Sequence, residues 1–128
     1  MTPLVLIVEE QSALRRRYAR FLRDEGYEVV TAAKIEETIP LAKRRSPNVV
    51  VLDPESGGGK GMEAAHKLLK AGLPASLVFN TSHPISMETD FSTWVADAYT
   101  VRTHGVEELG RTLRKLLVTA PVMPATEN

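Results

Sequence analysis

With 128 residues, 43% hydrophobic and 25% charged, the chain fits one soluble globular domain with a substantial core. Sixteen basic and sixteen acidic residues cancel, which argues against a general nucleic-acid or membrane surface, and no apolar run approaches the roughly 20 residues of a membrane span. The lack of cysteine excludes disulfide, thiolate and Cys-zinc chemistry, and no basic stretch precedes the first apolar run as a signal peptide requires, so a cytoplasmic location is expected.

Leu4-Val5-Leu6-Ile7-Val8 is a solid apolar run, the mark of a strand covered on both faces, and it ends in Glu9-Glu10. Ser12 is expected to N-cap a helix over about Ala13–Glu25, with Leu14, Tyr18, Phe21 and Leu22 as its core-facing stripe and Gly26 as its stop. Arg16, Arg20 and Arg23 lie on another face and read as solvated rather than as a nucleic-acid patch. Tyr27–Thr31 predicts a short strand. A weaker helix falls within Ile35–Arg45, kinked at Pro40 or beginning late near it, because proline cannot donate to the carbonyl four residues back. Ser46-Pro47-Asn48 is a turn.

Val49-Val50-Val51-Leu52 repeats the doubly buried pattern and stops at Asp53-Pro54, followed by the glycine loop Gly57-Gly58-Gly59-Lys60-Gly61, which is expected to be mobile. Met62–Ala71 reads as a helix burying Met62, Ala65, Leu68 and Leu69, ended by Gly72. Ser76–Asn80 is a fourth strand, leading into Thr81-Ser82. Pro84 opens a fourth helical segment to about Ala96, with Phe91, Trp94 and Val95 as core contacts. Ala98–Val101 is a fifth strand, followed by Arg102. The last helix, about Val106–Leu117, buries Val106, Leu109, Leu113 and Leu116 or Leu117. One domain is expected over 1–118, with 119–128 a flexible tail or linker.

Five alternations of strand and helix argue a parallel α/β sheet with helices on both faces. In such a sheet ligands bind at the carboxyl ends of the strands, where strand order reverses. Those ends carry Glu9-Glu10, Asp53, Thr81-Ser82 and Arg102. Three carboxylates brought together repel, and a hard divalent cation is the usual remedy; Mg²⁺ fits best. A hydroxyl and a guanidinium opposite it suit a tetrahedral oxyanion, and the set invites phosphoryl transfer onto a carboxylate.

From about Leu4 to Leu117 the chain resembles a response-regulator receiver domain of bacterial two-component signalling. The matching pieces are Leu6-Ile7-Val8-Glu9-Glu10, Val50-Val51-Leu52-Asp53, Gly61-Met62-Glu63, Val78-Phe79-Asn80-Thr81-Ser82 and Ala96-Asp97-Ala98-Tyr99-Thr100-Val101-Arg102. The resemblance implies a flavodoxin-like sheet in the order 2-1-3-4-5. It also implies that Asp53 accepts a phosphoryl group from the histidine of a sensor kinase or phosphotransfer protein. Glu9, Glu10, Asp53 and the carbonyl of Glu55 would hold Mg²⁺. Thr81 would bond a phosphoryl oxygen with small Ser82 leaving a path for the donor, Tyr99 would be the aromatic switch, and Arg102 would contact the phosphoryl group. The family usually has aspartate where Glu10 stands, lysine for Arg102, proline for Thr103, and a proline in the loop where Gly57-Gly58-Gly59 lies. The methylene of Glu10 extends its carboxylate by about 1.5 Å, and an arginine fork is not interchangeable with an ammonium.

Other motifs fall away. Lys60 is followed by Gly61 rather than Ser or Thr, and Pro54 takes the place of the first glycine, so the glycine loop is not a P-loop. His66, His83 and His104 lack metal-ligand spacing, and Asn80-Thr81-Ser82 matches a glycosylation pattern on a buried strand. The expected function is a signalling module rather than an enzyme, changing its downstream protein partner, output domain or homodimer contacts through the last two helices and fifth strand. Neither nucleic acid nor membrane is a direct partner. The alternative is a receiver-like module that binds proteins without phosphorylation.

Overall fold

The computed structural model describes residues 2–82 and 95–118. The two continuous apolar runs, β1 (Leu4–Val8) and β3 (Val49–Leu52), are buried at every position and lie side by side in the middle of the sheet. Strand β2 (Glu28–Ala32) flanks β1, and β4 (Ser76–Thr81) and β5 (Ala98–Val101) follow β3. All neighbours are parallel, giving the order β2-β1-β3-β4-β5. The order reverses between β1 and β3, which puts Glu9 and Asp53 beside the switch point.

Side chains alternate between two cores, as pleating requires. Leu6, Val8, Val50, Leu52, Leu77 and Phe79 face α2 (Thr38–Arg45) and α3 (Ser56–Lys70), which contribute Ala42, Ala64, Ala65 and Leu68. Val5, Ile7, Val49, Val51 and Val78 face α1 (Ser12–Asp24) and α4 (Val106–Val118), where Tyr18, Leu22, Leu109 and Leu113 close the second core. Leu14, Phe21, Val106, Leu116 and Leu117 pack at its margin, so the expected stripes of both helices hold. Arg16, Arg20 and Arg23 are exposed.

Several boundaries differ from expectation. Ser12 is the first helical residue of α1 rather than its cap; Gln11 holds the cap position, and its N–H donates to Glu9 Oε2 at 3.0 Å. The helix start carries no side-chain cap, and the Glu9 carboxylate instead holds the backbone of the cap residue. The second helix begins late: a 3-10 turn over Ile35–Glu37 precedes α2, leaving Pro40 in the first turn, where its missing N–H costs little. Helix α3 is continuous with the glycine loop, starting at Ser56 rather than Met62, but Gly57, Gly58 and Gly59 sit at φ 64°, 70° and 106°. That left-handed run is open to glycine and strained for other residues, and regular helix resumes at Lys60. The buried stripe of α3 is Gly61, Ala64, Ala65 and Leu68, and Leu69 lies off it, 58% exposed. Most of the fourth predicted helical segment, with Phe91 and Trp94, lies outside the described residues, as do His83 and 119–128. Val95 is described, and it packs against the first core.

Candidate functional site

Arg102 organises the edge where the strands end. It opens a 3-10 turn, Arg102–His104, directly after β5. Glu108 pins that corner from α4: its Oε1 accepts the Val101 N–H at 3.0 Å and lies 3.0 Å from His104 Nδ1. Burial raises the Glu108 pKa, but the hydrogen bonds from Val101 and His104 outweigh it, and the group ends below the usual glutamate value. So held, the guanidinium spans two carboxylates. Its Nη2 donates to Glu9 Oε2 at 2.7 Å and its Nη1 to Asp53 Oδ2 at 3.1 Å. The three side chains are 17%, 6% and 12% exposed for Arg102, Glu9 and Asp53. Charge-assisted bonds of this length in a poorly solvated site are stronger than surface pairs, and removing one partner of such a pair costs about 3–5 kcal/mol.

Asp53 is fixed from its other side as well, since the Glu55 N–H donates to Oδ1 at 2.9 Å. Glu10 is turned outward, accepting the Ser56 hydroxyl at 3.0 Å. Arg15 steadies the loop between them: its Nη1 donates to the carbonyls of Glu9 at 2.8 Å and Glu10 at 3.4 Å. These groups surround a cavity of about 70 Å³ lined by Val8, Glu9, Glu10, Gln11, Asp53, Ser56 and Arg102. That is far below the roughly 300 Å³ and more of small-molecule pockets and near the room of two waters. Among the described residues the cavity is of a size for a phosphoryl group.

The backbone beneath Asp53 admits no slack. A Cβ on Gly61 would stand 2.0 Å from the Asp53 carbonyl oxygen and 2.9 Å from the carbonyl carbons of Asp53 and Pro54. Gly61 therefore lets α3 lie directly against the strand end that carries the acid.

Thr81 is 3% exposed, and its hydroxyl makes a long, 3.4 Å contact with the Thr100 carbonyl. Ser82 is exposed beside it. Behind them runs a buried chain: Asn80 Nδ2 donates to the Tyr18 hydroxyl at 2.8 Å, and the Thr100 hydroxyl donates to Asn80 Oδ1 at 2.7 Å. Burial is the main cause of the raised Tyr18 pKa. Tyr99 is half-buried, with its ring tilted against Phe79 at 6.0 Å between centroids.

Glu9, Asp53 and Arg102 are thus in direct contact, with Glu10 and the backbone of Glu55 at the rim, while Thr81 and Tyr99 are placed on the neighbouring strands. Arg15, Ser56 and the Tyr18–Asn80–Thr100 chain were not foreseen. Arg15 was not singled out among the arginines of its helix, and its place in the first turn was the signal of its reach back to the strand end. The expected Mg²⁺ ligands meet at one edge, but their arrangement does not fit the ion. Among the described residues no three acidic or histidine side chains are gathered so as to hold a metal. The oxygens of Glu9 and Asp53 converge on a guanidinium, and Glu10 turns away.

A doubly wound sheet with a buried acid at its switch point defines the general class. Residues 5–110 match the family model described as the response regulator receiver domain, and the chain belongs to that family. Among curated relatives, it is 31% identical over 118 residues to the response regulator GacA of Pseudomonas aeruginosa, covering 88% of this chain and 54% of that protein. It is 28% identical over 120 residues to the transcriptional regulatory protein DpiA of Escherichia coli, covering 87% and 50%. The chain spans about half the length of the curated relatives it matches. Among solved structures, the response regulator TrrA of Thermotoga maritima in complex with Mg²⁺-BeF superposes with a TM-score of 0.78 at 31% identity, covering 91% of this chain and 99% of that one. TrrA bound to the histidine kinase ThkA gives 0.75 at 33% identity, covering 91% and 99%. A signal receiver domain from Vibrio parahaemolyticus gives 0.84 at 20% identity, covering 94% and 93%, a likeness of fold. The chain is therefore a receiver domain of two-component signalling, a signalling module by family.

Proposed function

We propose that Asp53 is the phosphoacceptor of this module and that Arg102 is the cation that serves it. The observation carrying this reading is the Arg102 fork on Asp53 and Glu9, at the carboxyl end of a central strand, around a cavity of phosphoryl size. A carboxylate oxygen of Asp53 attacks the phosphorus of a phosphohistidine. The P–N bond breaks, its electron pair and a proton go to the imidazole, and an acyl phosphate forms on Asp53. The site then gains about one further negative charge, since a phosphoryl group carries about −1.5 to −2 near neutral pH. Arg102 can turn one end of its fork to that group while keeping the other on Glu9. The Thr81 hydroxyl, 3.4 Å from the Thr100 carbonyl, would turn toward a phosphoryl oxygen, and a shift of the Thr81–Tyr99 edge would carry the change to the surface of β5 and α4.

The donor would be a histidine kinase or phosphotransfer protein, by analogy with the TrrA–ThkA complex. Output would pass to a protein partner, a further domain or a second copy of the chain, with 1–118 as the receiver unit. The location we assign is cytoplasmic; no helix among the described residues is long and apolar enough to cross a membrane. The test is incubation with a small phosphodonor, read by intact mass. One added phosphoryl group in the wild type and none in Asp53→Asn supports the reading.

One observation favours a second reading. The closed Arg102–Asp53–Glu9 bridge satisfies the acceptor before any phosphoryl group arrives, as a module that binds partners without phosphorylation would require. No adduct on a folded protein at saturating donor would select it. An Arg102→Ala change that weakened partner binding equally with and without donor would do the same.

A further inference from the structure

We infer that Arg102 is the resident cation of the acidic pocket, standing where a divalent metal would have to bind, so that metal enters only by displacing it. Three carboxylates are drawn to this edge, and two of them, Glu9 and Asp53, are largely withdrawn from water. Unpaired, such charges repel each other and oppose folding. The guanidinium meets one oxygen of each, at 2.7 and 3.1 Å, with the two ends of one planar fork. The same Glu9 oxygen also accepts the Gln11 N–H at 3.0 Å, so its position is set by backbone as well as by arginine.

Mg²⁺ needs oxygen ligands at about 2.0–2.1 Å in a near-octahedral shell. A fork lying between the two inner carboxylates denies the ion a bond to both at once. Glu10 lines the same cavity but is engaged with the Ser56 hydroxyl at the exposed rim and takes no part in that bridge. Arg102 is anchored from behind, because Glu108 ties the backbone of Val101 to α4 and fixes where the side chain starts. A single positive charge thus does, from within the chain, what a bound ion would do from outside. This applies to the site with Asp53 unmodified and does not depend on Asp53 being a phosphoacceptor.

The test uses the whole chain and Mg²⁺ alone, with no phosphodonor, so that it is separate from the phosphoacceptor reading. Binding is followed by calorimetry and the melting temperature is taken with and without millimolar Mg²⁺. The wild type is expected to be indifferent to the ion. Arg102→Ala should bind Mg²⁺ at least about tenfold more tightly than the wild type, and its melting temperature should rise with the ion. Arg102→Lys keeps the charge but bridges only one carboxylate; it should fall between the two, and it serves if the alanine variant does not fold. Wild type binding Mg²⁺ as tightly as either variant overturns the inference. So does a folded variant that gains no Mg²⁺ response, since the arginine would then not be what keeps the ion out.

Discussion

Replacing Gly61 by alanine puts the site's backbone under direct test. The added Cβ would stand 2.0 Å from the Asp53 carbonyl oxygen, so one of the two backbones must move by about 1 Å or more to restore van der Waals distance. That carbonyl already accepts the Ser56 N–H at 3.0 Å, and Met62 N–H bonds the next carbonyl, Pro54, at 2.9 Å. Forcing backbone apart costs about 3 kcal/mol at the upper end of overpacking, and weakening one of these bonds costs about 1 kcal/mol. Helix propensity returns about 1 kcal/mol for Gly→Ala, leaving roughly 3 kcal/mol net. For a domain of this size that is a fall of about 10 °C in melting temperature. A displacement of about 1 Å at a reacting group can also slow its chemistry about 100-fold. Gly58→Ala is the control: its position is open but left-handed at φ 70°, so it costs about 1 kcal/mol of strain. Thermal unfolding by circular dichroism, with donor-driven phosphorylation of each variant, reads both effects. If Gly61→Ala melts no lower than Gly58→Ala, the close approach of α3 to Asp53 is wrong.

Three further outcomes are expected. The Thr38 hydroxyl is fully buried with no hydrogen-bond partner among the described residues, so Thr38→Val should raise stability by about 1 kcal/mol in urea titrations; a loss would show that the hydroxyl is bonded. Asn80→Ala strands the Tyr18 and Thr100 hydroxyls and should cost about 2–4 kcal/mol, much of it recovered when Tyr18→Phe is added; strictly additive losses would deny the chain. Glu108 has a folded-state pKa below that of an ordinary glutamate, so its ionised form stabilises the fold above the ordinary value and the contribution is lost as pH falls through the lower, folded value. The stability gap between wild type and Glu108→Gln should therefore be constant at higher pH and close in acid; a gap that widens in acid would refute the pairing.

The sheet was legible because its strands carry local signals. The continuous runs of β1 and β3 read as doubly covered strands, and the acid after each fell at the ligand edge by topology. The helices were legible in their stripes and less so at their ends. Ser12 is a residue type favoured as a cap, but the helix starts on it without a side-chain cap, and the Gln11 backbone before it is held by Glu9, which Arg102 also holds across 93 residues. Leu69 fitted a helical period counted from Met62, whereas the true stripe is counted from Gly61, whose lack of a side chain is what seats the helix. Arg102 was placed at the site, but no pattern in sequence states that one arginine will span two carboxylates. That bridge depends on where β5, the turn after it and Glu108 come together in space.

The claim that Asp53 is the phosphoacceptor is tested most directly by trapping the product. The wild-type chain is treated with a small phosphodonor and then with hydroxylamine, which displaces phosphate from an acyl phosphate and leaves a hydroxamate on the carboxyl that carried it. Peptide mass mapping then locates the modified residue. The expected result is a hydroxamate on Asp53, absent from Asp53→Asn and from protein that has not met the donor. A hydroxamate on Glu9, Glu10 or any other carboxylate instead, or none on folded protein at saturating donor, contradicts it.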